Sequence, residues 1–360
     1  MTKLKGSYLL TGAKGDLGRA LITQFALNSE HAASYHGIYT VRNEVSAKLL
    51  SDSLKKDGHS FEILLLDVTQ LSEIRRFAKQ LDARIKSGQI PPLRSLVLNA
   101  AYLELFKQTW TEDGFDMSFA FAYLGHWLLT LMLLGSMDRS AGRVVVVGRA
   151  VHDTESNHKA VGGQYRDSKW RKIFHDSTDP LARGTWSTNE DDSSFRSGYR
   201  RYGAARLCQV MMIPELQRRI DLDKALHNIS VVGVDPGATP GGIARRGGWI
   251  VHVFIGHFVM AILAFVLSLF SSNAGVSSNA GVSSNAGVRT NTKSGKNMLA
   301  AMLECNPMLG DRPKGLYLDG NEKVPMSEEA RDERKTRTLW KDTLRYTGLR
   351  SNDTALMHWQ

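Results

Sequence analysis

Residues 11–18, Thr-Gly-Ala-Lys-Gly-Asp-Leu-Gly, are the first stretch whose types and spacing suit a defined chemistry. Gly12, Gly15 and Gly18 let the backbone turn tightly and come close to a pyrophosphate. The phosphate charge is favoured where such a turn opens a helix, because unpaired N–H groups and the helix dipole point at it. Leu17 lies inside the turn, and Lys14 adds a cation to it. The second residue of this kind is Arg42, just after an apolar run at 37–41. An acidic side chain there would accept the ribose hydroxyls of NAD, whereas a guanidinium suits a 2′-phosphate, which it grips as a fork. Taken alone, Arg42 also fits a solvated loop.

These residues need strands and helices in alternation to hold them. Continuous apolar runs at 7–10, 37–41, 61–66, 93–98, 143–147 and 229–234 read as strands buried on both faces, the mark of a parallel sheet. Helical spacing at 17–27, 71–85, 115–134 and 202–220 fills the gaps. The expected fold class is α/β, a doubly wound parallel sheet of the Rossmann type in a single domain. That domain takes residues 1–248 and 289–350. Residues 152–198 are polar, with few apolar periods, and read as a long surface insertion. Residues 249–270 are strongly apolar. Residues 271–288 repeat Ser-Ser-Asn-Ala-Gly-Val three times, with too little apolar surface to build a packed repeat, so a flexible linker is expected. A last helix is expected over 327–347, with Leu339, Trp340 and Leu344 docked on the core.

The composition excludes several classes. With 42% hydrophobic and 23% charged residues the chain is globular. Lys+Arg 46 against Asp+Glu 36 gives a net charge of +10, yet the basic residues are scattered, so no nucleic-acid partner is expected. Cys208 and Cys305 cannot make a disulfide framework, which fits a reducing compartment. The start, Met-Thr-Lys-Leu-Lys, runs into a strand with no signal-peptide pattern, so a cytoplasmic location is expected. His252 and His257 are five residues apart, not the spacing of a helical metal site, and no metal is expected. His126 and Trp127 read as helix packing, and Cys208 as a buried thiol.

The strand ends carry further motifs in a fixed order. Leu66-Asp67-Val68 closes the third run and Leu98-Asn99-Ala100-Ala101 the fourth. Tyr123-Leu124-Gly125-His126-Trp127-Leu128-Leu129-Thr130 lies in the long apolar helix. Tyr202-Gly203-Ala204-Ala205-Arg206 and Asp235-Pro236-Gly237-Ala238-Thr239 follow. With the glycine turn, which is similar to TGANGGLG apart from Lys14 and Asp16, they resemble the short-chain dehydrogenase/reductase family. The matching family patterns are LDV, NNAG, HLGHFLLT, YxxSK and the PG motif. The resemblance covers roughly residues 5–245 and, more loosely, the tail. The insertion before the tyrosine and the GLYLDG…LW pattern are most like retinol-dehydrogenase-like members. Fungal members that modify terpenoid and polyketide skeletons are especially similar.

This resemblance implies an NADP(H)-dependent enzyme interconverting a ketone and a secondary alcohol on a hydrophobic substrate, in secondary metabolite biosynthesis. It places Gly12, Lys14, Gly15, Leu17, Gly18, Arg42, Asp67, Asn99, Thr239, Tyr202 and Arg206 around the cofactor. In the family a Tyr hydroxyl protonates the carbonyl oxygen, a Lys holds the ribose, a Ser hydroxyl polarises the carbonyl and an Asn supports a water relay. Here only the tyrosine, Tyr202, is kept. The Asn position is Ala122, the Ser-Ser pair is Gly148-Arg149, and the Lys is Arg206. A guanidinium is expected to fit the lysine geometry less well, so Arg206→Lys is expected to be faster than the native chain. Arg149 either donates to a carbonyl oxygen or pairs with a carboxylate or solvent. Ser193, Ser194 and Ser197 are alternative hydroxyls. A cofactor-binding scaffold without catalysis, and a non-redox isomerase or dehydratase using Tyr202, remain as other readings.

Residues 249–270 fall where the family has its substrate lid. They are long enough to span a bilayer. A span would split the domain, so a greasy lid or a peripheral membrane contact is expected. Either implies a lipophilic small-molecule substrate. A homo-oligomer is left open.

Overall fold

The computed structural model describes residues 4–54, 59–156, 163–237, 289–303, 310 and 312–360. Thr239, Cys305, the apolar segment 249–270 with His252 and His257, and the repeat 271–288 lie outside the described residues.

The first half alternates as expected. β1 (Gly6–Leu10), α1 (Asp16–Leu27), α2 (Ser29–Ser34), β2 (Tyr35–Val41), α3 (Glu44–Leu54), β3 (Phe61–Leu65), α4 (Leu71–Lys86) and β4 (Leu93–Leu98) follow one another. The long apolar stretch is not one regular helix. α5 (Met117–Phe119) passes through a π-helical turn, Ala120–Leu124, into α6 (Gly125–Leu133). β5 (Arg143–Val147) comes next. Short helices α7 (Ser168–Arg171) and α8 (Asp179–Ala182) precede the long α9 (Phe195–Asp221). β6 (Ser230–Asp235), α10 (Asn291–Leu303), β7 (Leu316–Asp319), β8 (Glu322–Val324), α11 (Glu328–Arg331) and α12 (Glu333–Thr347) complete the order.

The strands form one eight-stranded sheet in the order β3-β2-β1-β4-β5-β6-β7-β8. All pairs are parallel except β7 with β8. β1, β5 and β6 are buried along their whole length, which is why their apolar residues run on consecutively, as in Val144–Val147, rather than alternating with polar ones. Two apolar cores result, one on each face. One packs Val144 and Val146 against Trp127, Leu207 and Trp340; the other packs Val145 and Val147 against Leu21, Phe25 and Met298. The order reverses between β1 and β4, so the crevice at their carboxyl ends is where such a sheet binds ligands. A helix long and apolar enough to cross a membrane, Met117–Ser136, is 89% buried inside the fold and serves as its core.

Residues 152–198 are not a surface insertion only. Tyr165, Trp170, Ile173, Phe174, Leu181 and Ala182 are all buried. Glu329 accepts hydrogen bonds from the backbone of Ile173 (3.0 Å) and Phe174 (2.9 Å). The Arg200 guanidinium lies 4.1 Å from the Trp170 ring centroid. The segment's apolar residues follow no period because they are pinned one at a time by distant partners.

The C-terminal helix docks as expected, with Leu339 and Trp340 buried and Trp340 packed edge-on to Trp127 at 5.0 Å. Its end is held by Arg75, which donates to Asp353 (2.7 Å) and to the Thr347 carbonyl (2.7 Å). Burial works against the Asp353 charge. The Arg75 hydrogen bond and the Arg350 backbone amide outweigh it and hold the carboxyl below its ordinary value of 3.8. Its stabilisation is therefore present above the ordinary carboxylate value and is lost as pH falls through the lowered one. Arg75→Ala is expected to cost about 1–2 kcal/mol at neutral pH, and less in acid, in urea unfolding at the two pH values. An equal cost at both would show that Asp353 is not its partner in stability.

Candidate active site

A cleft of about 340 Å³ opens at the carboxyl ends of β1, β2 and β4. Gly12, Gly15, Leu17 and Gly18 form its floor, and Lys14, Arg42, Asn99 and Arg206 also line it. Gly12 adopts φ 65° and has Ala100 so close that a β-carbon would sit 2.9 Å from its Cα. A β-carbon on Gly18 would sit 2.7 Å from the Gly12 carbonyl oxygen. The turn therefore requires glycine for its own closure as well as for a ligand's approach.

The turn is tied down from below. Thr11 Oγ1 accepts from the backbone amides of Asn99 (2.9 Å) and Ala100 (3.0 Å). Asn99 Nδ2 donates to the carbonyls of Thr11 (2.9 Å) and Gly12 (3.3 Å). Asn99 thus shapes the cradle, with its amide committed to the turn. His126 is fully buried, and that burial holds its ring neutral, with the pKa lowered to about 4. Its Nδ1 lies 3.1 Å from the Ala122 carbonyl and donates to it, so Nε2 accepts from Thr11 Oγ1 at 2.9 Å. The residue expected only to pack therefore joins the π turn to the glycine turn.

At one end of the cleft Lys14 Nζ lies 3.4 Å from Ser46 Oγ, and Arg42 stands exposed beside them. Ser46 was not singled out from the sequence. The available signal was a hydroxyl in the first turn of the helix that follows Arg42. Asp67 does not line the cleft: its Oδ1 accepts from the Thr69 amide (2.9 Å) and hydroxyl (2.7 Å) as a local turn.

At the other end Arg206 meets Tyr202. Both are almost fully buried. Arg206 Nε donates to the Tyr202 hydroxyl oxygen at 3.0 Å, and Nη1 donates to the Val147 carbonyl (2.7 Å) and to Gln209. Only Arg206 of the pair reaches the cleft lining. Because the guanidinium donates, the phenol accepts in this bond and its own proton is left to donate elsewhere. Within the chain Arg206 is held by three acceptors on three different residues.

A family model for short chain dehydrogenases matches residues 7–170. A fungal relative, the short-chain dehydrogenase iccH of Talaromyces variabilis, is 38% identical over 99% of this chain and 99% of its own. The chain belongs to the short-chain dehydrogenase family. It is an oxidoreductase, of a family whose members bind a nicotinamide cofactor. Protochlorophyllide reductase of Daucus carota is 26% identical over 97% of this chain and 79% of that protein. Among solved structures, an NADPH-bound carbonyl reductase from chicken fatty liver matches with TM-score 0.54 and 14% identity, covering 90% of this chain and 99% of that one. At that identity the likeness is one of fold.

As a short-chain dehydrogenase the protein departs from its family where hydroxyls are expected. Arg149 is 3.9 Å from Asp235 and donates to the Gly237 carbonyl, so it pairs with a carboxylate. Burial works against its charge, but Asp235 first and the Tyr202 phenol next outweigh it and push its pKa up. Ser194 caps α9 by accepting from the Arg196 amide (3.3 Å), and Ser197 donates to Asn189 (2.8 Å), so both hydroxyls serve the helix start. Ala122 is buried inside the π turn. Burial pushes the Cys208 thiol up and leaves it inert.

Proposed function

We propose that this short-chain dehydrogenase is NADP(H)-dependent and interconverts a ketone and a secondary alcohol on a hydrophobic terpenoid-, steroid- or polyketide-like compound. The observation that carries the reading is one cleft with Lys14, Arg42 and Ser46 at one end and Arg206, bonded to Tyr202, at the other. The residues present fit a dinucleotide: Gly12 and Gly18 leave no room for a β-carbon, and two cations and a hydroxyl stand together at the end of the cleft that would take a 2′-phosphate. Solved relatives of the same fold include the NADPH-bound carbonyl reductase and an angucycline C-6 ketoreductase, LanV, with bound NADP.

The nicotinamide, when bound, supplies or accepts hydride. Tyr202 Oη holds the proton that goes to the carbonyl oxygen, a general-acid role. Arg206 fixes that phenol by its Nε and faces the cleft. Tyr102, stacked on Phe121 at 5.3 Å, and Leu103 give the cleft an apolar wall that suits a lipophilic substrate. Residues 249–270 supply either the lid over that substrate or a peripheral membrane contact from which it is drawn, and the protein works in the cytoplasm or at a membrane's cytoplasmic face.

NADPH is expected to bind at least about tenfold more tightly than NADH, about 1.4 kcal/mol. Arg42→Asp is expected to erase or reverse that preference, because it replaces a phosphate-gripping fork with a like charge. Fluorescence titration of both nucleotides decides it. Equal affinities in the native protein would sink the NADP reading.

A further inference from the structure

Tyr317, on β7, is 3% exposed, and its hydroxyl has no hydrogen-bond partner among the described residues. A buried phenol left unpaired costs stability and calls for an explanation. Its ring crosses β6, where Gly233 stands opposite it in register; a β-carbon on Gly233 would overlap ring atom Cδ2. The hydroxyl ends against Gly148. A β-carbon there would overlap Oη and lie 2.7 Å from Cε2. Two glycines, Gly233 on β6 and Gly148 just past the end of β5, thus make a slot for one tyrosine.

Gly148 immediately follows β5, at the carboxyl edge of the sheet where the cleft opens. It stands next to Arg149, which Asp235 holds. The Tyr317 ring packs against His152 at 5.1 Å, and the His152 Nδ1 is committed to the Arg149 carbonyl (2.7 Å). The charges that face the phenol are Asp235, Arg206, Asp319 and Arg149. The hydroxyl therefore lies in the space a side chain at residue 148 would take, close enough to Asp235, Arg206 and Arg149 to feel their charges.

We propose that Tyr317 is a second catalytic hydroxyl: its O–H donates to the same carbonyl oxygen that Tyr202 protonates, in place of the hydroxyl that Gly148 and Arg149 lack. Burial, with Asp235 next, pushes its pKa well above the ordinary 10.0, so it keeps its proton and acts only as a donor. No bond to Tyr317 is made or broken. The hydride, with its electron pair, goes from the reduced nicotinamide to the carbonyl carbon; the proton of Tyr202 goes to the oxygen. This inference rests on the reductase reading above.

Tyr317→Phe tests it, because it keeps the ring in its slot and removes only the unpaired hydroxyl. With NADPH and 9,10-phenanthrenequinone as probe, kcat is expected to fall on the order of tenfold to a hundredfold with KM nearly unchanged. In the protein without nucleotide the same change is expected to raise Tm by about 1–3 °C, since an unsatisfied buried group is gone. NADPH affinity is expected to hold. A raised Tm with unchanged kcat overturns the proposal and leaves Tyr317 as packing. So does a fall in kcat that comes with a lower Tm and weaker NADPH binding. Tyr202→Phe is run alongside: if it is inactive while Tyr317→Phe is fully active, only this inference fails. A native protein that binds NADPH and never oxidises it overturns the reductase reading itself.

Discussion

Tyr202→Phe is expected to lower carbonyl reduction by about a hundredfold to ten-thousandfold, the range of a positioned general acid, while NADPH still binds. Tyr202 Oη accepts from Arg206 Nε at 3.0 Å, so its own proton is free to go to a substrate oxygen. Removing the oxygen removes that proton but leaves the helix intact, because Tyr202 is held by burial along α9. The check is NADPH oxidation with a ketone panel, beside a binding titration. If the variant reduces a true substrate as fast as the native protein, the proton comes from elsewhere. If native protein and variant both bind NADPH and neither turns over, the scaffold reading is the right one. Product without cofactor turnover would point to the isomerase or dehydratase reading.

Substituting Arg206 is expected to have the second-largest effect, and in the direction opposite to the one its sequence suggested. Arg206→Met is expected to lower kcat on the order of a hundredfold and to destabilise the fold by about 1–3 kcal/mol. The Val147 carbonyl and the Gln209 side chain both lose a donor in a buried place, and Gln209 Nε2 already has no partner among the described residues. Arg206→Lys is expected to be slower than the native enzyme by about tenfold. An ammonium carries its three donors on one nitrogen, whereas the guanidinium reaches Tyr202 from Nε and Val147 and Gln209 from Nη1, so a lysine is expected to keep only part of that set. Steady-state kinetics with thermal unfolding separate the two losses. A kcat above native for Arg206→Lys would show that the arginine is a poor copy of lysine after all.

Much of this protein is decided within short stretches of chain. Strands buried on both faces must be continuous apolar runs, so β4 (93–98) and β5 (143–147) are legible to the residue. A turn that has to close on itself must be glycine, so Gly12 and Gly18 mark the cofactor cradle without help from any other part of the chain. The cations Lys14 and Arg42 are legible from their places just after β1 and β2. Helices α2, α3 and α10 were not, because their polar residues carry too weak a period: α2 buries no residue, α3 only Leu50 and Leu54, and α10 is buried by the distant α1.

What only the tertiary structure decided is which side chains meet. The fit of Arg206 depends on a carbonyl 59 residues away, at Val147. Whether Arg149 points at a substrate or at a carboxylate depends on Asp235, which a different strand brings to it. His126 gains its place as a bridge from Thr11, 115 residues earlier. Tyr317 is one tyrosine in a tail with nothing local to mark it, and its slot exists only because β6 sets Gly233 beside its ring and the end of β5 sets Gly148 against its hydroxyl. Local patterns report what the backbone needs in order to turn or be buried. Long-range hydrogen bonds and close approaches have no local pattern, because each partner's residue type is ordinary until the fold places the other against it.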